Sequence, residues 1–425
     1  MKVLILTFGT RGDVQPFVAL ARELRERGHN PVLAAPVRFG GLADEHGLSM
    51  VGVDDGPLRL LDAARGVGET MTGGVRAKLE LARSIPATFS RIFEDVTAIA
   101  TTGRGVGADV VVHNGQIIAA PHIAEKLGVP AVLALTVPMY VPTREFPWPG
   151  QSLPPGLPGP LNRATYLGMK GPAMMFGRTV DRWREAALGL PRRRGRHDPL
   201  RRPDGGPAPV LNAVSPHAVR PPADWPSAVV TTGYWFLPAP ATGLSDELAA
   251  FLDAGEPPVL IGFGSMAGPS PVRTTEMVLA AVARAGVRAV LATGWGGLAA
   301  TALPDKVIAV DQVPHDLLFP HVAAVVHHGG AGTTGAAAAA GRPQVICPFV
   351  ADQPFWGRRM HSLGVAPAPI DQHRLTEERL ATAIITAVTD ADIRDRAAQL
   401  GTQIRKEHGV ATAVLQLESL ATTGT

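Results

Sequence analysis

One pattern restricts the fold more than any other: a short β-branched run, a glycine turn and a helical repeat, written at least twice. Residues 3–8 are apolar and stop at Gly9 and Gly12. Residues 14–27 then carry apolar side chains at helical spacing, Gly28 closes the helix, and residues 31–35 read as a buried strand. A strand, a crossover helix and a second strand this close together favour parallel pairing, because parallel neighbours need a crossover. Residues 109–113, 117–127 and 129–135 repeat the pattern. After a proline-rich interval it restarts, with helices over 246–254 and 274–285 and strands over 259–263, 289–292, 307–310, 323–327 and 344–348. The expected class is α/β with two parallel-sheet domains.

The 425 residues suit two or three domains. Composition shifts place a first domain over 1–217, a linker over 218–240, a second domain over 241–400, and a C-terminal helix over 401–425 packing back towards the first domain. Between Pro138 and Pro160 stand eight prolines, interleaved with Met139, Tyr140, Phe146 and Trp148. So few backbone donors dictate a loop, and its apolar side chains border a pocket. The net charge of +3 on 77 ionised side chains argues against nucleic acid as a partner. The single cysteine, Cys347, cannot pair within the chain. No run reaches the ~18 apolar residues of a membrane span, and residues 3–6 are too short for a secretory leader. The expectation is a cytoplasmic monomer with at most peripheral membrane contact through the arginines of 192–202, which more simply form a solvated loop. His113, His122, His315 and His361 lack metal-ligand spacing, so no metal is expected.

The most informative chemistry lies in His327-His-Gly-Gly-Ala-Gly-Thr-Thr334, between an apolar strand and an alanine-rich helix. Glycines let a ligand approach the backbone, and unpaired amides at a helix start favour an anion such as a diphosphate. The segment is neither a Walker motif nor a dinucleotide fingerprint. Its plain alternative is a strand-to-helix turn with a capping threonine, and for His327 the core is the better assignment. Gly262-Phe-Gly-Ser265 ends another strand and puts Ser265 near the same phosphates, although glycine-serine turns are common. Asp352 and Gln353, before Phe355-Trp356, suit sugar hydroxyls; Asp352 equally suits a helix cap. Asp13 stands at the end of the first strand. It either caps a helix starting at Val14, which favours its charged form, or takes a proton from an incoming hydroxyl, which calls for a less stabilised carboxylate.

With these residues in hand, the chain resembles the nucleotide-sugar glycosyltransferases of the GT-B fold, and within them the sterol 3-β-glucosyltransferases and bacterial natural-product glycosyltransferases. The resemblance runs through Gly9-Thr-Arg-Gly-Asp-Val-Gln-Pro16, residues 122–130 and 183–190, 312–319, 328–333, 348–353 and 363–370. It implies two Rossmann-like domains facing across a cleft, with Gly12, Ser265, Gln312, Val313, His328, Gly330, Gly332, Thr333, Asp352 and Gln353 on the donor and Asp13 as the acceptor-activating base. His113 stands where plant relatives keep an aspartate that orients a catalytic histidine, so Asp13 would act directly. His113, Met139, Tyr140, Phe146 and Trp148 would line the acceptor pocket, with residues 58–93 beside them. The implied activity is metal-independent inverting transfer of a hexose, glucose first, from a uridine diphosphate sugar to a hydroxyl of a sterol or polyketide. No cofactor is implied. Two rivals are a sugar-nucleotide epimerase of the same fold and a non-catalytic binding homologue.

Overall fold

The computed structural model describes the chain except residues 67–89, 152, 154–155, 194–196, 241–242, 265–270, 295–297, 299–302, 312 and 424–425. Two parallel sheets carry it. The first contains β1 (Lys2–Leu6), β2 (Asn30–Pro36), β3 (Met50–Val53), β4 (Val110–His113), β5 (Ala131–Leu135), β6 (Val210–Asn212) and β7 (Val229–Thr231), in the order β3-β2-β1-β4-β5-β6-β7. The second contains β8 (Val259–Gly262), β9 (Ala289–Ala292), β10 (Val307–Val310), β11 (Ala324–His327) and β12 (Gln344–Ile346), in the order β10-β9-β8-β11-β12. Val3, Leu4, Ile5 and Leu6 have no exposed surface. Both faces of β1 are therefore covered, which is why its sequence is continuously apolar rather than alternating.

Each strand order reverses direction once, between β1 and β4 in the first sheet and between β8 and β11 in the second. Connections leaving neighbouring strands towards opposite sides open a crevice at the carboxyl ends, where open α/β sheets hold ligands. Asp13 follows β1 and Gln116 follows β4. Gly264 follows β8 and His328 follows β11. The chain order alone has therefore put Asp13 and Gln116 at one crevice and His328 at the other, with Asp352 and Gln353 after the neighbouring strand β12.

Part of the segment expected as a linker belongs to the first domain. Within 218–240, β7 pairs in parallel with β6, and Trp235 and Leu237 join the first core. Its strand signal is only three residues long between prolines and becomes decisive only when β6 supplies the partner. The helix Gly409–Thr423 buries Ala413, Val414 and Leu417 in that same core, and Glu418 Oε1 lies 2.7 Å from His29 Nε2. Fully burying a side chain such as Leu417 stabilises by about 2 kcal/mol. Among the described residues, no helix is long and apolar enough to cross a membrane.

Candidate active site

The first helix runs over Arg11–Glu26, three residues earlier than the apolar repeat suggests, with Thr10 as its N-cap. Asp13 is therefore not the cap but the third helical residue, and it reaches back in a capping-box arrangement. The Thr10 amide and hydroxyl both donate to Asp13 Oδ2, at 2.8 and 3.0 Å. Gln116 Nε2 donates to Asp13 Oδ1 at 2.9 Å from across the β1–β4 crevice. Asn114 fixes that neighbour: its side-chain amide donates to Thr7 Oγ1 and Phe8 O, while its Oδ1 accepts from the Gln116 amide. Gly9 must be glycine here. Its φ is +131°, and a Cβ would stand 2.4 Å from Asp13 Oδ2 and 2.7 Å from Gln116 Oε1.

Burial raises the Asp13 carboxyl to about 6, with a smaller push from the Asp352 charge, against the Thr10 and Gln116 bonds that favour ionisation. The expectation that capping leaves a weak base is thereby reversed: desolvation outweighs the cap. A carboxylate oxygen offers two lone pairs. Oδ2 spends both on Thr10, whereas Oδ1 spends one on Gln116 and keeps one open. Oδ1 is the atom positioned to take a proton.

In the second domain, Gly329 adopts φ +91° and Gly330 caps the helix Ala331–Ala339. Gly332 is exposed, and a Cβ there would meet nothing within 4 Å. The amide end of this helix thus opens outward, with Gly330 and Thr333 partly accessible beside it. His328 packs against the glycines, its Nε2 only 2.5 Å from where a Gly330 Cβ would be. Burial lowers its imidazole to about 4, so it is neutral at physiological pH, and its Nδ1 is sealed from solvent without a partner among the described residues. His327 is a core residue, bonded through Nε2 to Gln344 at 2.9 Å and through Nδ1 to the Gly329 amide at 3.0 Å. Asp352 Oδ2 accepts from the Trp356 indole at 2.9 Å, and burial raises its carboxyl. The preceding Ala351 has φ +57°, a local strain of the kind that clusters at ligand sites. Gln353 Oε1 accepts from the Phe349 and Val350 amides, so its carbonyl oxygen holds the loop and only its NH2 remains for a ligand. Val313 is half-buried; Ser265 and Gln312 lie outside the described residues.

The two crevices face each other. Asp13 and Asp352 are close enough for one charge to raise the other's pKa, and Arg11 is close enough to His315 to disfavour its protonation. Gly12 is exposed in the first helical turn beside Asp13. Of the expected acceptor residues, His113 and Tyr140 meet at one cavity. Met139 is half-buried beside them in sequence but does not line it. Phe146 and Trp148 also stand elsewhere. The Phe146 ring lies 5.4 Å from Phe355 of the second domain, and Trp148 packs over Gly150 and Gly168. The proline-rich loop brings Phe146 against the second domain, whereas Trp148 stays within the first, over Gly168. Of residues 58–93, 67–89 lie outside the described residues. Of the arginines at 192–202, Arg192 pairs with Glu185 and Arg193 with Glu125. Gln116 and Arg184 carry no individual expectation from the sequence, and His122 is singled out there only among histidines without metal-ligand spacing. Only the polar Asn114-Gly-Gln116 at the end of a strand gave a signal for the first.

Residues 3–145 match the glycosyltransferase family 28 N-terminal domain, and residues 276–419 the erythromycin biosynthesis protein CIII-like C-terminal domain. The O-mycaminosyltylonolide 6-deoxyallosyltransferase of Streptomyces fradiae is 38% identical over 100% of this chain and 99% of its own. The chain belongs to the GT-B glycosyltransferases. This transferase is also 34% identical to a sterol 3-β-glucosyltransferase of Arabidopsis thaliana, over 97% of its length and 67% of the relative's. It matches one from Cryptococcus neoformans at 32%, over 97% of its own length but only 27% of the fungal protein. Among solved structures, the kitacinnamycin glycosyltransferase superposes with a TM-score of 0.70 at 18% identity over 99% of both chains. The glycosyltransferase VinC, in complex with thymidine diphosphate, superposes at 0.66 and 22% over 100% of both. These likenesses establish the fold, and the sequence relatives place the transferase among enzymes of natural products and sterols.

Proposed function

We propose that this chain moves a hexose, glucose in the first instance, from a uridine diphosphate sugar to a hydroxyl of a lipophilic acceptor, with inversion and without a metal ion. The observation that carries the reading is that Asp13, a carboxylate raised to about 6, lies near enough to Asp352 of the second domain to feel its charge, with Gln353 against Gly329 at the start of the helix Ala331–Ala339. Asp13 Oδ1 takes the acceptor hydroxyl's proton as that oxygen bonds to the anomeric carbon. The bond from that carbon to the diphosphate oxygen breaks, and its electrons leave with the nucleoside diphosphate. The leaving charge meets helix amides and a neutral His328 donating one N–H, rather than a cation. Asp352, with one oxygen tied to Trp356, and the Gln353 NH2 offer hydroxyl partners to the sugar. Because VinC holds thymidine diphosphate, thymidine diphosphate sugars are the second reading for the donor.

The test is incubation of both glucose nucleotides with a panel of hydroxylated lipophilic compounds, with and without chelator, followed by mass and NMR analysis of products. A β-linked glucoside, formed equally in chelator, is expected. A retained anomeric configuration, or an altered sugar nucleotide in the absence of any acceptor, refutes the proposal.

A further inference from the structure

The cavity beside Asp13 differs from a plain apolar slot. It measures about 60 Å³, and its walls combine Ile117, Ile118 and Met169 with His113, His122 and Tyr140. The two imidazoles are fixed in opposite tautomers by what they touch. His113 Nδ1 lies 2.8 Å from the Asn114 carbonyl, which only accepts, so Nδ1 carries the hydrogen and Nε2 presents a lone pair. His122 Nδ1 lies 2.7 Å from Nη1 of the fully buried Arg184, which only donates, so Nδ1 carries the lone pair and Nε2 the hydrogen. Arg184 is itself held by Glu125 at 2.8 and 3.1 Å, so this orientation is locked from behind. Burial keeps both rings neutral. Neither Nε2 has a partner among the described residues, although both residues are at least 98% buried. The Tyr140 hydroxyl, also unpartnered among them, lies near enough to Asp13 to feel its charge.

A lipophilic acceptor with one hydroxyl spends that hydroxyl at Asp13 and fills the cavity with hydrocarbon. It would then desolvate both imidazole Nε2 atoms and the Tyr140 hydroxyl without satisfying any of them, in a wall that also carries Arg193, His197 and Asp198. We propose that the cavity receives a second oxygen function of the acceptor, a hydroxyl or a carbonyl, from His113 Nε2, His122 Nε2–H and the Tyr140 hydroxyl. The substrate class is thereby an oxygenated macrolactone or polycyclic polyketide in preference to a sterol. This rests on Asp13 as the base of the transfer reading and goes beyond it by choosing between acceptor classes.

Initial rates with a hydroxylated macrolactone aglycone, a hydroxylated anthraquinone-type polyketide and cyclodextrin-solubilised cholesterol test it, each with uridine and thymidine diphosphate glucose. At least one oxygenated acceptor is expected to exceed cholesterol in kcat/KM by tenfold or more, the equivalent of one satisfied hydrogen bond at about 1.4 kcal/mol. His113→Leu is expected to collapse that ratio to within about threefold of unity, with nucleoside diphosphate binding retained by calorimetry. If His113→Leu does not fold, Tyr140→Phe, which deletes a single hydroxyl, is expected to lower the same ratio. Cholesterol matching or outperforming both oxygenated acceptors overturns the proposal, as does a ratio unmoved by either variant. Transfer to no acceptor from either donor overturns the transfer reading itself and this proposal with it, whereas transfer without the preference overturns this proposal alone.

Discussion

Replacing Asp13 by asparagine is expected to make the protein more stable while removing its activity, and the size of the gain follows from the site. The ordinary aspartate value of 3.8 rises to about 6 in the folded chain. A shift of about two units corresponds to about 3 kcal/mol that the native state forfeits by holding Asp13 ionised. Asparagine avoids that cost and still accepts from Thr10, and because the shift is already net of the Thr10 and Gln116 bonds, the gain is about 3 kcal/mol, or ~6–12 °C in melting temperature for a domain of this size. The sign with pH is fixed by linkage. A carboxyl whose folded value is raised costs nothing below its unfolded value, costs progressively more between 3.8 and about 6, and costs its full amount above. The advantage of Asp13→Asn should therefore be largest near pH 8 and roughly half as large near pH 5. Scanning calorimetry of both proteins at the two pH values measures it, beside a transfer assay in which the variant loses ~10²–10⁴-fold. A variant less stable than the parent near pH 8, or an advantage that does not shrink near pH 5, refutes the claim that desolvation governs this carboxyl.

Gln116→Leu removes a donor to the ionised form of Asp13 and is expected to move the acid limb of the kcat/KM profile above about 6, with nucleoside diphosphate binding unchanged; an unmoved limb denies Gln116 its part in holding the base. Gly332→Glu puts a negative charge on the open side of the helix end, where a side chain meets nothing within 4 Å, and is expected to weaken uridine diphosphate binding at least tenfold by calorimetry without lowering the melting temperature by more than a few degrees. His328→Ala should likewise weaken the diphosphate, and because His328 is already neutral, the loss should be the same near pH 6 and near pH 8.

Local signals carried the chain a long way. The apolar runs of β1 and β11, the glycines that end them and the helical repeats behind them are short-range consequences of backbone and side-chain sterics, so the parallel α/β class was legible from residue order. So were the outward helix end after Gly330 and the core place of His327, because a strand, a glycine turn and a helix start suffice to locate them. Tertiary structure decided the rest, where the energies depend on residues far apart in sequence. Gln116 meets Asp13 across 103 positions, and only that crevice withdraws water from a helix-capping carboxylate strongly enough to overcome its cap. A three-residue strand such as β7 gains its stability from β6, and Phe146 packs on Phe355 of the second domain instead of lining the cavity beside His113. The tautomers of His113 and His122 are set by a carbonyl and a guanidinium, partners that no periodicity in the sequence announces.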